Sequence, residues 1–261
     1  MTKFAQKQLG QEQESAERKW WDLWNTSYRS DDGHDKVSTE LFENVAGVIR
    51  EISQGHASRI LEVACGTGTL SRQLDFSSYH GLDVSPAAVE LANEKVKLRS
   101  WPKGAQERTY EVADIHNWSL PPNPFDVVVC VDAVAYFYDQ QLALRRMAQS
   151  LVASGRLVLT TINPFVYNRI RPTVISPLKE GSISRWLSRG ELHGLLSSAG
   201  FKLERSYTIM PRGNMGILRV VNARRLNEAV GSHGAKVLRR WKEQLGLGQY
   251  RVVVARKERA T

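Results

Sequence analysis

The segment ILEVACGTGTLS, residues 60–71, joins a short apolar run to a glycine-rich turn. Its first four residues predict a β-strand, and Gly66 and Gly68 predict a tight turn. A helix is expected to begin near Leu70. Glycines before a helix let the backbone approach a ligand closely, although a purely structural turn has the same pattern. The segment therefore predicts a turn that either binds a ligand or has a structural role.

Acidic residues follow the next two predicted strands. Asp83 ends a strand in HGLDVS, and Asp114 follows another in EVADI. A carboxylate at the first position would hold both hydroxyls of a ribose, and a carboxylate or a neighbouring amide at the second would bind the edge of an adenine. The carboxyl ends of parallel strands meet at one edge of a sheet, which is the usual crevice in such folds. The sequence thus predicts a nucleoside-binding crevice.

Short apolar strands alternate with helical stretches along most of the chain. The predicted strands are Arg59–Ala64, Tyr79–Leu82, Thr109–Val112, Phe125–Val131, Arg156–Ile162, Phe201–Met210 and Tyr250–Ala255. A helix is predicted over residues 36–53, and a capping box, Ser188 with Glu191, starts another that ends at Gly200. Such alternation predicts an α/β fold with a mostly parallel sheet and helices on both faces.

Several motifs together resemble class I S-adenosylmethionine-dependent methyltransferases. They are ILEVACGTGTLS, GLDVS, VADI, PFDVVVCVDAVAYF, the glycine turn into the fifth strand in residues 151–159, and the helix–strand step LHGLLSSAGF. The likeness covers roughly residues 55–210 and, with the last strand, most of the sheet. It implies a Rossmann-like seven-stranded sheet whose last strand runs antiparallel, and S-adenosyl-L-methionine as the cofactor.

The resemblance also implies a set of cofactor-binding residues. They are Tyr28, Glu62, Ala64, Gly66, Gly68, Asp83, Val84, Asp114, Ile115 and Val131. In this assignment Glu62 and the two glycines surround the methionine moiety, Asp83 holds the ribose, and Asp114 with Ile115 holds the adenine. Ala64 replaces the first glycine of the commonest pattern and is small enough to fit.

A nicotinamide dinucleotide is the main competing ligand for the turn. Its fingerprint places a third glycine three residues after the second, within the first helical turn. That position is Thr69 if Gly66 is the second glycine and Ser71 if Gly68 is. Neither register completes the fingerprint, so the sequence favours S-adenosylmethionine.

Asp132 and Tyr136 follow the fourth strand, where the methyl acceptor is expected, and are the candidate catalytic residues. A carboxylate can act as a base for a hydroxyl or amine, and a tyrosine ring can face a sulfonium cation. Alternatively, Asp132 caps the following turn and Tyr136 packs at the sheet edge. The Asn/Asp-Pro-Pro-aromatic tetrad of amino-directed nucleic-acid methyltransferases is absent after this strand, and Cys130 alone stays a possible nucleophile.

We predict one methyltransferase domain over residues 1–261 with helical additions. Residues 1–54 form an N-terminal helical cap, 55–162 the cofactor-binding core, 163–188 a substrate insert, and 189–261 the rest of the sheet with a helical insert over 211–248. In the cap, Trp20 and Trp24 either pack in the core or close over the site with Tyr28. In the 211–248 insert, one amphipathic helix has an apolar face, which consists of Val237, Leu238, Trp241 and Leu245.

The net charge of +9 is concentrated in the C-terminal part. Residues 1–155 hold 16 Lys and Arg against 21 Asp and Glu, whereas residues 201–261 hold 14 against 4. This asymmetry predicts an anionic partner, or else a solvated basic face. Arg169 and Arg171 in the 163–188 insert either bind phosphate or carboxylate or lie on a solvated lid.

The leading interpretation is therefore methyl transfer to an O or N atom of a small, acidic or phosphate-bearing metabolite, sugar or natural-product intermediate. An RNA methyltransferase is the alternative favoured by the basic C-terminal region, and a catalytically silent binding protein is a third. The oligomeric state is not determined by the sequence.

Remaining features of the 261 residues indicate a cytoplasmic protein without a transmembrane span. The two cysteines, Cys65 and Cys130, lie in separate apolar segments and form no metal-ligand pattern. The histidines have no spaced partners, so no metal site is expected. His116, just after the third strand, is expected in a surface loop.

Overall fold

The computed structural model describes residues 36–54, 58–74, 76–98, 107–169, 185–212, 215–222 and 231–258. The strands are β1 (Arg59–Val63), β2 (Ser78–Asp83), β3 (Glu107–Val112), β4 (Phe125–Val131), β5 (Leu151–Ile162), β6 (Phe201–Pro211) and β7 (Gly248–Lys257). The described α-helices are α1 (Lys36–Ser53), α2 (Pro86–Leu98), α3 (Gln140–Ser150), α4 (Pro164–Tyr167), α5 (Arg189–Ser198), α6 (Ile217–Val221) and α7 (Gly231–Gln244). Two 3₁₀ helices cover Leu70–Gln73 and Val134–Tyr136.

The seven strands form one sheet in the order β3-β2-β1-β4-β5-β7-β6. The first five pair in parallel, and β7 lies antiparallel between β5 and β6. The predicted seven-stranded, mostly parallel sheet with an antiparallel last strand is confirmed. The strand order reverses direction at β1 and β4, which brings the ends of these two central strands to the crevice of the sheet.

Helices cover both faces of the sheet, and alternate strand residues pack on opposite sides. In β4, Val127 and Val129 belong to one buried cluster with α1, whereas Val128 and Cys130 belong to a second cluster with α3 and α5. A strand buried on both faces needs a continuous apolar run, which is what VVVCV, residues 127–131, supplies. This packing explains why the central strands could be predicted from the sequence.

A helix begins at Leu70 as predicted, but it is a 3₁₀ helix of only four residues. Leu70, Leu74 and Phe76 are all buried, so the chain must return to the sheet within one short segment. The Ser71 hydroxyl also bonds to the Tyr110 hydroxyl at 2.6 Å, which ties the segment to β3. A regular α-helix would carry these residues away from the core.

The predicted glycine turn before the fifth strand is also different in the structure. β5 begins at Leu151, which pairs with Phe125, and its register shifts between Phe125 and Val127. Ser154 adopts a φ of +66° in this irregular region. The residues thus form a bulged start of the strand rather than a separate turn.

The capping box is confirmed in atomic detail. The Ser188 hydroxyl accepts a hydrogen bond from the Glu191 amide, and the Glu191 carboxylate accepts one from the Ser188 amide. Gly200, with a φ of +84°, follows the end of this helix as predicted.

Candidate functional site

The carboxyl ends of β1, β2, β3 and β4 form the edge at which the predicted site residues gather. Val63 pairs with Leu82 and Asp83 pairs with Val112, so these parallel strands end at nearly the same level. The glycine turn follows β1, and Asp132 follows β4, which neighbours β1. Adjacent parallel strands therefore bring residues distant in sequence to one crevice.

The turn after β1 has a left-handed backbone at alternate positions. Ala64, Gly66 and Gly68 have φ values of +60°, +52° and +71°. A Cβ at Gly68 would lie 2.7 Å from the Tyr110 hydroxyl oxygen, whereas one at Gly66 would have no atom within 4 Å. Gly68 is thus required by close packing as well as by its φ, while Gly66 lies against open space.

Asp83 connects this turn to the end of β2. Its Oδ2 accepts a hydrogen bond from the Gly66 amide at 2.7 Å, and its Oδ1 accepts one from the Ser85 amide at 3.0 Å. Val84, between these residues in sequence, is partly buried. Main-chain donors on both sides therefore set the orientation of the carboxylate before any ligand is present.

Asp114 is held in a similar way by the residues that follow it. Its Oδ1 accepts hydrogen bonds from the His116 amide at 2.9 Å and lies 2.5 Å from His116 Nδ1, while His116 Nε2 lies 3.0 Å from the Asp139 carbonyl oxygen. Neighbouring Ile115 is buried. His116 is buried too, so the expectation of a surface loop is wrong; its ring bridges the Asp114 carboxylate to the residue that caps α3.

Glu62 is a buried carboxyl beneath the glycine turn. The Tyr79 hydroxyl donates a hydrogen bond to its Oε2. Burial raises the pKa of Glu62 to about 8, although the Tyr79 hydrogen bond acts in the opposite direction. The Glu62 carboxyl is therefore mostly protonated at pH 7.

Asp132 follows β4 with a φ of +52°, an uncommon backbone conformation for a residue with a side chain. Its amide donates to the Thr160 carbonyl oxygen at 3.1 Å and to Thr160 Oγ1 at 3.0 Å. The carboxyl itself is hydrogen-bonded to the Ile162 amide and the Tyr250 hydroxyl, and desolvation raises its pKa to about 7. A carboxyl with this pKa can accept a proton at physiological pH.

Aromatic residues surround the region of Asp132. The partly buried Tyr136 has a pKa raised above its usual range by burial and by the nearby Asp132 and Tyr167. The Tyr167 and Trp186 rings pack edge to face, with their centroids 4.1 Å apart. Trp186 Nε1 is buried and makes no hydrogen bond within the described part of the chain. No local motif marks Trp186 or Tyr250, so neither residue was predicted to belong to the site.

Neither cysteine is suited to nucleophilic chemistry. Both are free and buried, and burial raises the pKa of the Cys130 thiol to about 12 and that of Cys65 well above its usual value. A thiol that stays protonated is a poor nucleophile. Across the described ranges, no group of three or more His, Cys, Asp or Glu residues is arranged to hold a metal ion.

Only some of the remaining predicted site residues belong to the part of the chain that the structure describes. Val131 ends β4 beside Asp132 and is partly buried. Tyr28, Trp20, Trp24 and Arg171 lie outside the described residues. Arg169 is described: its guanidinium lies 4.1 Å from the Phe165 ring centroid and donates to the Phe165 carbonyl oxygen at 2.8 Å.

The crevice fits an adenosyl compound. The space in front of Gly66 can admit a ligand close to the backbone, and Asp83 and Asp114 follow two adjacent strands with their carboxylates already oriented. Residues 61–159 match the family model described as methyltransferase domain. The match begins in β1 and ends in β5, and so includes every described residue assigned to the cofactor or to catalysis.

Curated proteins with similar sequences include the mitochondrial ubiquinone biosynthesis O-methyltransferase of Schizosaccharomyces pombe. It is 30% identical over 153 residues, which cover 58% of this chain and 53% of that protein. An aklanonic acid methyltransferase of Streptomyces, DauC, is 24% identical over 60% of this chain and 76% of that protein. The chain spans about half the length of the first of these relatives.

Solved structures with the same fold include the magnesium protoporphyrin IX methyltransferase of Synechocystis, determined with S-adenosylhomocysteine bound. It matches with a TM-score of 0.60 and 15% identity over 94% of this chain and all of that one. At this identity the match establishes the fold alone.

Proposed function

Because this chain belongs to the class I S-adenosylmethionine-dependent methyltransferases, we propose that it methylates a hydroxyl oxygen of a small aromatic acceptor, with Asp132 as the general base. The observation that carries the proposal is the position and pKa of Asp132. Its carboxyl follows the central strand β4 and has a pKa of about 7. The competing assignment of Asp132 to a purely structural cap does not need such a pKa.

The cofactor would be held by the residues on the β1–β3 side of the crevice. Asp83 would bind the ribose hydroxyls, Asp114 and Ile115 the adenine, and Glu62 with the glycine turn the methionine moiety. When bound, S-adenosyl-L-methionine supplies an electrophilic methyl group. The chain itself need only orient the acceptor, exclude water and remove a proton.

Asp132 supplies the proton acceptor. A hydroxyl oxygen becomes more nucleophilic as its proton is withdrawn, and a base with a pKa near the working pH is the most effective. The Tyr250 hydroxyl and the Ile162 amide donate to the Asp132 carboxylate and orient it. Tyr136 keeps its own proton, because burial raises the pKa of its hydroxyl, and it can donate a hydrogen bond to the acceptor.

The aromatic side chains near Asp132 support a planar acceptor. Tyr136, Tyr167 and Trp186 offer ring faces and edges, and the free N–H of Trp186 offers a donor within the described residues. The related protein of Schizosaccharomyces pombe is named for O-methylation in ubiquinone biosynthesis, which agrees with an oxygen acceptor. The acidic or phosphate-bearing character predicted from charge remains part of the proposal; Arg169 at the 163–188 insert is a candidate contact.

The test is Asp132→Asn, assayed with a panel of phenols, catechols and their carboxylated analogues while cofactor affinity is measured by titration calorimetry. We expect kcat to fall by about 100-fold or more, the usual contribution of a general base, with cofactor affinity unchanged. In the native chain with saturating cofactor, kcat/KM for the acceptor should rise with pH and level off above about 7. Asp126→Asn is the matched control, because Asp126 lies in β4, the strand that Asp132 follows, and accepts a hydrogen bond from the Arg59 amide at 2.8 Å. A normal kcat for Asp132→Asn would restrict Asp132 to a structural role.

A further inference from the structure

Helix α7 in the C-terminal insert is attached to the sheet by its polar side. Lys242 is only 5% exposed. Arg239 donates to Glu40 of α1 at 2.6 Å and to Glu243 at 2.9 Å, and the Glu243 carbonyl oxygen accepts a hydrogen bond from Thr208 of β6 at 2.7 Å. These contacts fix the rotation of the helix about its axis.

The apolar side of α7 consequently faces away from the sheet. Val237, Trp241 and the following Leu245 are spaced four residues apart on one face and are 45%, 64% and 69% exposed. Of the four residues in the predicted apolar face, only Leu238 lies toward the protein. An amphipathic surface helix ordinarily does the reverse and buries its apolar side.

Exposure of this kind is concentrated in the insert. Six of the eleven large apolar side chains that are exposed among the described residues belong to it: Met215, Ile217, Val220, Val237, Trp241 and Leu245. Single exposed apolar residues are ordinary, whereas a group within one short part of the chain indicates an interaction surface.

Charge identifies the kind of partner. Lys236 and Arg240 are exposed on α7 beside the apolar residues, and Arg219 is exposed between Ile217 and Val220. Glu243, the acidic residue of α7, is paired with Arg239 on the other side of the helix. A symmetric contact between two copies would place Lys236 and Arg240 near their own equivalents, at an electrostatic cost.

We propose that this insert docks on the surface of a membrane containing anionic lipids, with Trp241 and Leu245 entering the headgroup boundary. Helices that lie in this boundary combine an aromatic and aliphatic face with lysine and arginine at its margin. The basic side chains contact lipid phosphate, and the apolar side chains leave water. An RNA base would stack on Trp241, but RNA would leave the aliphatic Val237, Leu245, Ile217 and Val220 in water.

The first measurement is co-sedimentation of the full chain with phosphatidylcholine vesicles that do or do not contain roughly one third phosphatidylglycerol. We expect binding to the anionic vesicles, about tenfold weaker binding for Trp241→Glu, and little binding to phosphatidylcholine alone. Leu120→Glu is the matched control, since Leu120 is also exposed but lies in the segment before β4. It should bind as the native chain does.

Tryptophan fluorescence separates the competing outcomes. The difference between the native chain and Trp241→Phe should show a water-exposed emission without lipid and a blue shift with anionic vesicles. Unaltered vesicle binding in Trp241→Glu would overturn the proposal. So would an emission that is already buried without lipid, or a dimer that light scattering detects in the native chain but not in Trp241→Glu. Trp241→Glu and Leu120→Glu should keep the cofactor affinity of the native chain, which shows that they are folded.

Discussion

The two sides of the crevice hold their carboxyl groups by different means. On the β1–β3 side, Asp83 and Asp114 accept hydrogen bonds from amides within two residues of themselves or in the adjacent turn. On the β4 side, Asp132 is held by Ile162 of β5 and Tyr250 of β7, which are distant in sequence. The first arrangement is local and can recur as a short motif, whereas the second requires the completed sheet.

The difference also extends to chemistry. Backbone donors stabilise an ionised carboxylate and suit it to bind hydroxyl groups of a ligand. At Asp132 desolvation outweighs the hydrogen bonds from the Ile162 amide and the Tyr250 hydroxyl and favours the protonated form, so that the group can exchange a proton near neutral pH. Variants of the glycine turn test how the crevice is built, and variants of Asp83, Glu62 with Tyr79, and Asp132 test the division between binding and proton transfer.

The largest effect is expected at Gly68. Gly68→Ala should lower the free energy of unfolding by about 3 kcal/mol, because it adds left-handed strain to a clash with Tyr110. Gly66→Ala provides the comparison: with a similar φ but no atom within 4 Å, it should cost only about 1 kcal/mol. Urea denaturation measures both, and equal costs would mean that the Tyr110 contact is unimportant.

The next effect concerns cofactor affinity. Asp83→Ala should weaken binding of S-adenosylhomocysteine about 30-fold, because it removes the ribose contact and leaves the Gly66 and Ser85 amides without their acceptor. Titration calorimetry measures the change, with Asp132→Asn as the variant that should bind normally. If Asp83→Ala binds normally, the ribose assignment is wrong and the proposed division loses its binding side.

A smaller effect is the dependence of cofactor affinity on pH. Glu62 has a pKa of about 8 in the ligand-free chain, so its ionised form becomes dominant only above that pH. If only the form with ionised Glu62 binds the methionine moiety, affinity should rise about 25-fold between pH 6.5 and 8.5. Tyr79→Phe removes the hydrogen bond that favours ionisation, and should move this rise to higher pH. An affinity independent of pH would exclude Glu62 from the binding equilibrium.

The smallest effect is on stability. The pKa of Asp132 is raised from 3.8 to about 7 on folding, so its contribution to stability is fully present below pH 4 and is lost as pH rises through 7. Asp132→Asn lacks this loss and should melt at a higher temperature than the native chain at pH 8, with a smaller difference at pH 5. Thermal unfolding at the two pH values is the measurement, and a lower melting temperature at pH 8 would contradict the assigned pKa.

The strands and the cofactor side of the crevice were predictable because their signals are local. Continuous apolar runs mark strands buried on both faces, and glycines followed by strand-end acids mark the turn and its neighbours. The errors have tertiary causes: the 3₁₀ helix after the turn follows from burial of Leu70, Leu74 and Phe76, and the burial of His116 follows from its contact with the start of α3. The acceptor side could be predicted only as far as Asp132 and Tyr136, since Trp186 and Tyr250 join them through folding.

The alternative of an RNA substrate depends on the basic C-terminal region and stays a prediction. Titration of the full chain with RNA at increasing salt would distinguish it, because phosphate contacts weaken steeply as salt rises. None of the helices in the described ranges has the length and apolarity needed to cross a bilayer. The cytoplasmic location also stays a prediction.

The position of β7 has a consequence for synthesis of the protein on the ribosome. β7 separates β5 from β6, and β6 pairs with no other strand within the described ranges. β6 is nevertheless translated before β7, and the helical insert comes between these two strands. Until residues 248–257 leave the exit tunnel, β5 and β6 each present an open edge to the surroundings. The parallel part of the sheet can assemble during translation, but closure of the antiparallel part must wait for the last strand to be inserted between two that have already emerged.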